Sequence, residues 1–138
     1  MRGLALLLTV GALLLWSCGG GGTSTRVPED GRVFVRNDTS KSGHPYPVSV
    51  SYLHPEELGP EPVEVLVNAG ETKEVTKDVL KGGTKVTFTI VGHTPRQQPR
   101  ADVEVTVDGS ITIVVTRVYS PAAYDNPRVD YYITGAPG

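Results

Sequence analysis

The 138-residue chain contains one cysteine, Cys18, so no disulfide within it can hold a fold together. Positive charge is not in excess: 13 Lys and Arg stand against 15 Asp and Glu, a net charge of −2 at pH 7. Proteins that bind nucleic acid draw most of their affinity from phosphate contacts, and no basic run or stripe is present to make them. Nucleic acid is therefore set aside as a partner. Signatures of catalysis are also missing. There is no Gly-x-Ser-x-Gly elbow, no His-Glu-x-x-His and no thiol besides Cys18. The paired carboxylates Glu56 and Glu57 are adjacent in sequence and poorly placed to flank one bond. The chain reads as non-catalytic, with no cofactor expected. No stretch shows a helical period and no internal repeat is found. The longest apolar run, residues 4–16, falls short of the roughly 20 residues a membrane-spanning helix needs. It ends in four glycines, Gly19 to Gly22, with no basic stop signal.

What is present begins with that run. Arg2, the apolar stretch and the small residue Ser17 have the layout of a secretory signal peptide. Leu15-Trp16-Ser17-Cys18 resembles the lipobox of bacterial lipoproteins: an aliphatic residue, a variable one, a small one and a cysteine. The resemblance covers the leader only. It implies removal of residues 1–17, a diacylglyceryl group on the Cys18 thiol and a palmitate-type acyl chain on the new amino terminus. Two such chains suffice for stable anchoring where one does not. The alternative is a free thiol closing an ordinary signal peptide. Gly19 resembles the residue found in lipoproteins of the outer membrane. The expected location is thus the bacterial cell membrane or outer membrane, with the domain in the periplasm or at the cell surface.

Removal of the leader leaves 121 residues, enough for one domain. Residues 18–30 are rich in glycine, threonine and serine and read as a flexible tether. From Arg32 onward apolar residues recur with period two, the spacing that lines one face of a β-strand. Val33 and Val35, Val48 to Tyr52, Val63 to Val67, Val86 to Ile90, Ala101 to Val107 and Ile111 to Val115 give six strands. A weaker one over 72–79, with Val75 its only clear core residue and charges around it, belongs at a sheet edge. Asp108-Gly109 is the strongest turn signal and suggests a two-residue hairpin. The expected fold is all-β, a small antiparallel β-sandwich of about seven strands over residues 31–118. Strand count and spacing are immunoglobulin-like or fibronectin type III-like, without the cysteine pair and buried tryptophan of antibody domains. Residues 119–138, with Tyr119, Tyr124, Tyr131 and Tyr132 among prolines and glycines, form a C-terminal tail. Val129 to Thr134 within it could add an eighth strand.

If every connection reverses the chain, the loops after strands one, three and five share one end with the tail, opposite the tether. That distal end gathers Lys41, His44, Tyr46, Asn68, Glu71, His93, Arg96, Gln97, Gln98, Arg100 and Tyr119. Loop clusters at one end of a sandwich are where such folds bind. The candidate partner-binding residues are Arg96 and Arg100, His44 and His93, and Tyr119 and Tyr124. The arginines suit a phosphate or carboxylate, because the guanidinium fork matches both. The histidines with Glu71 or Asp38 would offer zinc or copper ligands, but no His-x-His spacing supports a metal site, and none is assigned. The leading expectation is a membrane-anchored binding or assembly module that meets an envelope protein through its distal loops, tyrosine tail or an exposed strand edge. The alternative is a lipoprotein that captures a small ligand, glycan or metal in the distal loops.

Overall fold

A computed structural model of the chain describes residues 26–53, 63–120 and 127–135. The leader, Cys18, the tether up to residue 25, His54, Glu56, Glu57 and Tyr124 lie outside the described residues. The strands are β1 (Val33–Asn37), β2 (Val48–Tyr52), β3 (Val63–Val67), β4 (Thr72–Glu74), β5 (Lys85–Gly92), β6 (Arg100–Thr106), β7 (Ile111–Tyr119) and β8 (Arg128–Thr134). Among the described residues no helix is long and apolar enough to cross a membrane.

These strands form two four-stranded sheets, in the orders β4-β1-β7-β8 and β3-β2-β5-β6. Only β1 and β7 run parallel; every other neighbouring pair is antiparallel. The expected β-sandwich is what forms, and the period-two pattern explains it. Val33 and Val35, Val48 and Val50, Phe88 and Ile90, Val103 and Val105, and Ile113 and Val115 all project into one core. Burying each such side chain contributes about 1.5–3 kcal/mol. Their β-branched shape suits a pleated surface better than a helix. The Tyr52 and Phe88 rings pack at 5.1 Å between centroids, and the Tyr52 hydroxyl accepts a hydrogen bond from the Lys77 amide. An aromatic ring can thus be buried while its polar tip stays satisfied. β4 takes the predicted edge position, with Val75 just beyond it in the core.

Three features depart from the sequence-based expectation. The Asp108-Gly109 turn forms, with Gly109 at φ 74, yet it joins β6 of one sheet to β7 of the other and is no hairpin. A turn signal reports backbone angles and is silent on which sheet the next strand enters. The described part of the tail belongs to the sandwich: β7 runs on to Tyr119, and β8 pairs with it along its length. A register shift between Val115 and Arg117 lets Val118 return to the core while Arg117 and Tyr119 lie outside it.

The third departure concerns residues 26–30, expected in the tether but fastened to the domain. Arg26 pairs with Asp108, whose carboxylate also accepts the Glu29 amide at 3.1 Å. Gly109 N–H donates to Glu29 O at 2.8 Å, and Gly82 N–H to Asp30 Oδ1 at 2.8 Å. The Arg26 guanidinium and the Glu29 amide hold the Asp108 carboxyl below its usual range. The fit is close enough to exclude a side chain: a Cβ on Gly31 would lie 2.0 Å from the Gly109 carbonyl oxygen. The chain therefore enters the domain at the base, beside the β6–β7 turn. Strand alternation puts the β1–β2, β3–β4 and β5–β6 connections, the end of β7 and the start of β8 at the opposite end.

Candidate functional site at the distal end

The distal end is built around Asn37, the last residue of β1, which is fully buried. Its Nδ2 donates to Tyr46 O at 2.8 Å and Val67 O at 3.0 Å. Its Oδ1 accepts from the Thr39 amide at 3.0 Å and the Thr39 hydroxyl at 2.7 Å. Its backbone pairs with Gly70 N and Glu71 O. The Thr39 hydroxyl also accepts the Tyr46 amide at 3.1 Å. Both main-chain groups of Tyr46 are thereby fixed, although Tyr46 lies in a ten-residue connection containing only the short 3₁₀ turn Thr39–Ser42. A buried, fully satisfied amide of this kind locks a loop against the end of a sheet.

Across from Tyr46, the β5–β6 connection folds on Thr94. Its hydroxyl accepts the Gln97 amide at 3.0 Å and lies 3.0 Å from Ser120 Oγ, which donates to Gln97 Oε1 at 3.2 Å. Gln97 is thus a strut within the end, and Arg96 is turned out to solvent. Between these loops runs a trough whose two parts share Tyr46 and Ser120. One, of about 150 Å³, is lined by His44, Tyr46, Arg117, Val118, Tyr119 and Ser120. The other, of about 350 Å³, is lined by Tyr46, Thr94, Pro95, Arg96 and Ser120.

The charges around this trough differ from those elsewhere. Arg26, Arg32, Arg36, Arg100 and Arg128 hold the carboxylates of Asp108, Glu74, Asp38, Asp102 and Asp130. The two other described arginines, Arg96 and Arg117, hold none among the described residues, and they line the two parts of one trough. Arg117 lies over the Tyr119 ring at 4.7 Å from its centroid, and Arg128 reaches the same ring at 4.4 Å. Contacts of this kind contribute about 0.5–1 kcal/mol at an exposed site and orient the guanidinium while leaving its N–H fork available. The trough thus offers two arginines, an imidazole and two tyrosines to a group that carries negative charge.

Of the residues anticipated from sequence, the trough gathers His44, Tyr46, Arg96 and Tyr119. Arg100 is engaged with Asp102 on β6. His93 turns onto the outer face of its sheet, with Nε2 at 2.9 Å from Ser49 Oγ, and does not line the trough with His44. Lys41 faces Asp38, and Glu71 closes the β3–β4 turn by accepting the Asn68 amide, which holds its carboxyl below the usual range. Among the described residues no group of three or more His, Cys, Asp or Glu is placed to hold a metal ion. Arg117 and Ser120 were not anticipated. The signal that finds Arg117 is the doublet Val114-Val115 followed by Val118, an alternation that slips by one residue, as at a bulge.

Fold and site together define a two-sheet β-sandwich with a cationic, aromatic trough at one end of its strands. Comparison with protein-family models, with curated proteins and with solved structures finds no match.

Proposed function

We propose that the chain is a lipid-anchored protein of the bacterial envelope that works by binding and not by catalysis, taking an anionic group of an envelope protein into its distal trough. The observation that carries this is the pair Arg96 and Arg117, the two described arginines without a carboxylate, on either side of Tyr46 and Ser120. The lipobox at Leu15 to Cys18 supports the anchor, and the docking of residues 26–30 at the base supports a trough at the end remote from it. Size favours a protruding side chain over a free small molecule. Ligand pockets usually enclose about 300–1,000 Å³. The part of the trough holding Arg117 is well below that range, and the part holding Arg96 is at its lower end.

The test is photo-crosslinking of the full-length chain in cells, with a photo-reactive residue at Gln98, exposed beside Arg96, or at Lys81, exposed at the base. Position 98 should capture one dominant protein that position 81 does not. Recovery should fall at least about tenfold in Arg96→Ala/Arg117→Ala, the loss expected when two charge-assisted contacts are removed. Undiminished recovery in the double variant, or capture from position 81 alone, would overturn the proposal.

A further inference from the structure

Three of the four sheet edges are guarded. β4 is three residues long and carries Lys73 and Glu74, and β6 alternates Arg100, Asp102 and Glu104. On β3 the Leu66 carbonyl is occupied by Lys73 Nζ at 3.0 Å. Short length, charge and covering contacts are the means by which proteins keep edges from pairing. Among the described residues β8 is neither short nor charged over its second half. It is seven residues long, and Tyr131, Tyr132 and Ile133 are 39%, 53% and 46% exposed.

The backbone direction of this edge follows from its neighbours. Ile111 N–H donates to Arg32 O, and Val115 O accepts from Asp38 N–H, so the odd residues of β7 from 111 to 115 spend their main-chain groups on β1. Thr112 and Val114 therefore turn theirs to β8, opposite Thr134 and Tyr132, and Asp130 O points back to Thr116 Oγ1 at 3.2 Å. Main-chain groups alternate in direction along an antiparallel strand. Those of Val129, Tyr131 and Ile133 consequently face outward, where the sheet order places no further strand among the described residues.

We propose that β8 pairs antiparallel with β8 of a second copy of this chain about a two-fold axis at Tyr131, joining two four-stranded sheets into one. Tyr131 is the midpoint of Arg128–Thr134, so this register pairs the whole strand. It sets Tyr131 opposite its own copy, Val129 opposite Ile133, Asp130 opposite Tyr132 and Arg128 opposite Thr134. All the outward N–H and C=O groups find partners, and no like charges meet. Moving the axis to Asp130 would set two carboxylates face to face, which destabilises a strand pair. Moving it by two residues would leave the apolar end of the strand or Val129 without a counterpart. Such a contact is isologous and closed, so it stops at a dimer. Pairing sends the two bases in opposite directions along the strands, so two copies anchored in one membrane lie with their strands along its surface.

The test uses full-length chain with Cys18→Ser, which makes an added thiol unique, carrying Tyr131→Cys or Ile133→Cys under mild oxidation. Directly opposed positions approach to about 5 Å, within disulfide reach, whereas two copies of position 133 lie about 13 Å apart along the strands. Tyr131→Cys should give at least about ten times more covalent dimer than Ile133→Cys. Equal yields, or none above a Lys81→Cys control, would overturn the pairing. Sedimentation of the Cys18→Ser parent provides a reading free of oxidation. It should be a dimer that Ile133→Lys converts to a monomer with unchanged circular dichroism, and a monomeric parent would equally refute the proposal.

Discussion

Asn37→Ala should lose about 3 kcal/mol of stability, seen as a lower urea midpoint with little change in slope. The side chain is 0% exposed and makes four hydrogen bonds, two as donor and two as acceptor. Truncation leaves the Val67 carbonyl and the Thr39 amide without their side-chain partner, while the Tyr46 carbonyl keeps only the Thr39 hydroxyl at 3.2 Å. An unsatisfied buried polar group costs about 1–3 kcal/mol. Thr39→Val removes the hydroxyl alone and should cost about 1–2 kcal/mol. Function should fall further than stability in both variants, because Tyr46 is positioned by this knot and lines both parts of the trough. A loss below about 1 kcal/mol for Asn37→Ala would mean that the loop is held by other contacts and that Asn37 does not organise the distal end.

At the other end, Gly31→Val should cost about 3 kcal/mol and lower the thermal midpoint by roughly 10 °C. A Cβ at this position would lie 2.0 Å from Gly109 O and 2.7 Å from Ser110 N, both backbone atoms of a turn that cannot rotate away. The β6–β7 turn must move, and with it the bonds of Glu29 to Gly109 and of Gly31 to Leu80. Hydrogen exchange should accelerate at the Leu80 and Gly109 amides while the Asn37 amide stays protected, since opening is local to the base. Gly43→Ala gives the contrast. Its φ of 84 costs an alanine about 1–2 kcal/mol, but nothing lies within 4 Å of the added Cβ. If Gly31→Val proved no worse than Gly43→Ala, the close docking of the base would be refuted.

Much of the architecture was legible because a half-buried strand writes its burial into every second residue. Val48-Ser49-Val50-Ser51-Tyr52 has its valines and tyrosine in the core and its serines half-exposed, as the alternation requires. The distal grouping of His44, Tyr46, Arg96 and Tyr119 was legible too, since it depends only on strand alternation and the order of connections. Pairings distant in sequence were not. Arg96 and Arg100 look equivalent in the loop sequence, and only the side-chain geometry shows that Arg100 meets Asp102 while Arg96 holds no carboxylate among the described residues. Arg117 was hidden by a bulge, which breaks the periodicity used to follow the strand. Arg26 and Asp108 are 82 residues apart, so no local pattern could place the end of the tether against the β6–β7 turn.

Titration of inorganic phosphate into isotopically labelled chain at low ionic strength tests the distal site most directly, because screening is then weakest. Exposed guanidiniums contribute at most about 1 kcal/mol each, which corresponds to half-saturation at roughly tens of millimolar or above. Saturable shifts should appear at the Tyr46, Arg96, Arg117 and Ser120 amides, with none at Lys81 or Asp108, and should vanish in Arg96→Ala/Arg117→Ala. Weak, unsaturable shifts spread over the whole surface, or shifts that persist in the double variant, would contradict an anion-binding trough.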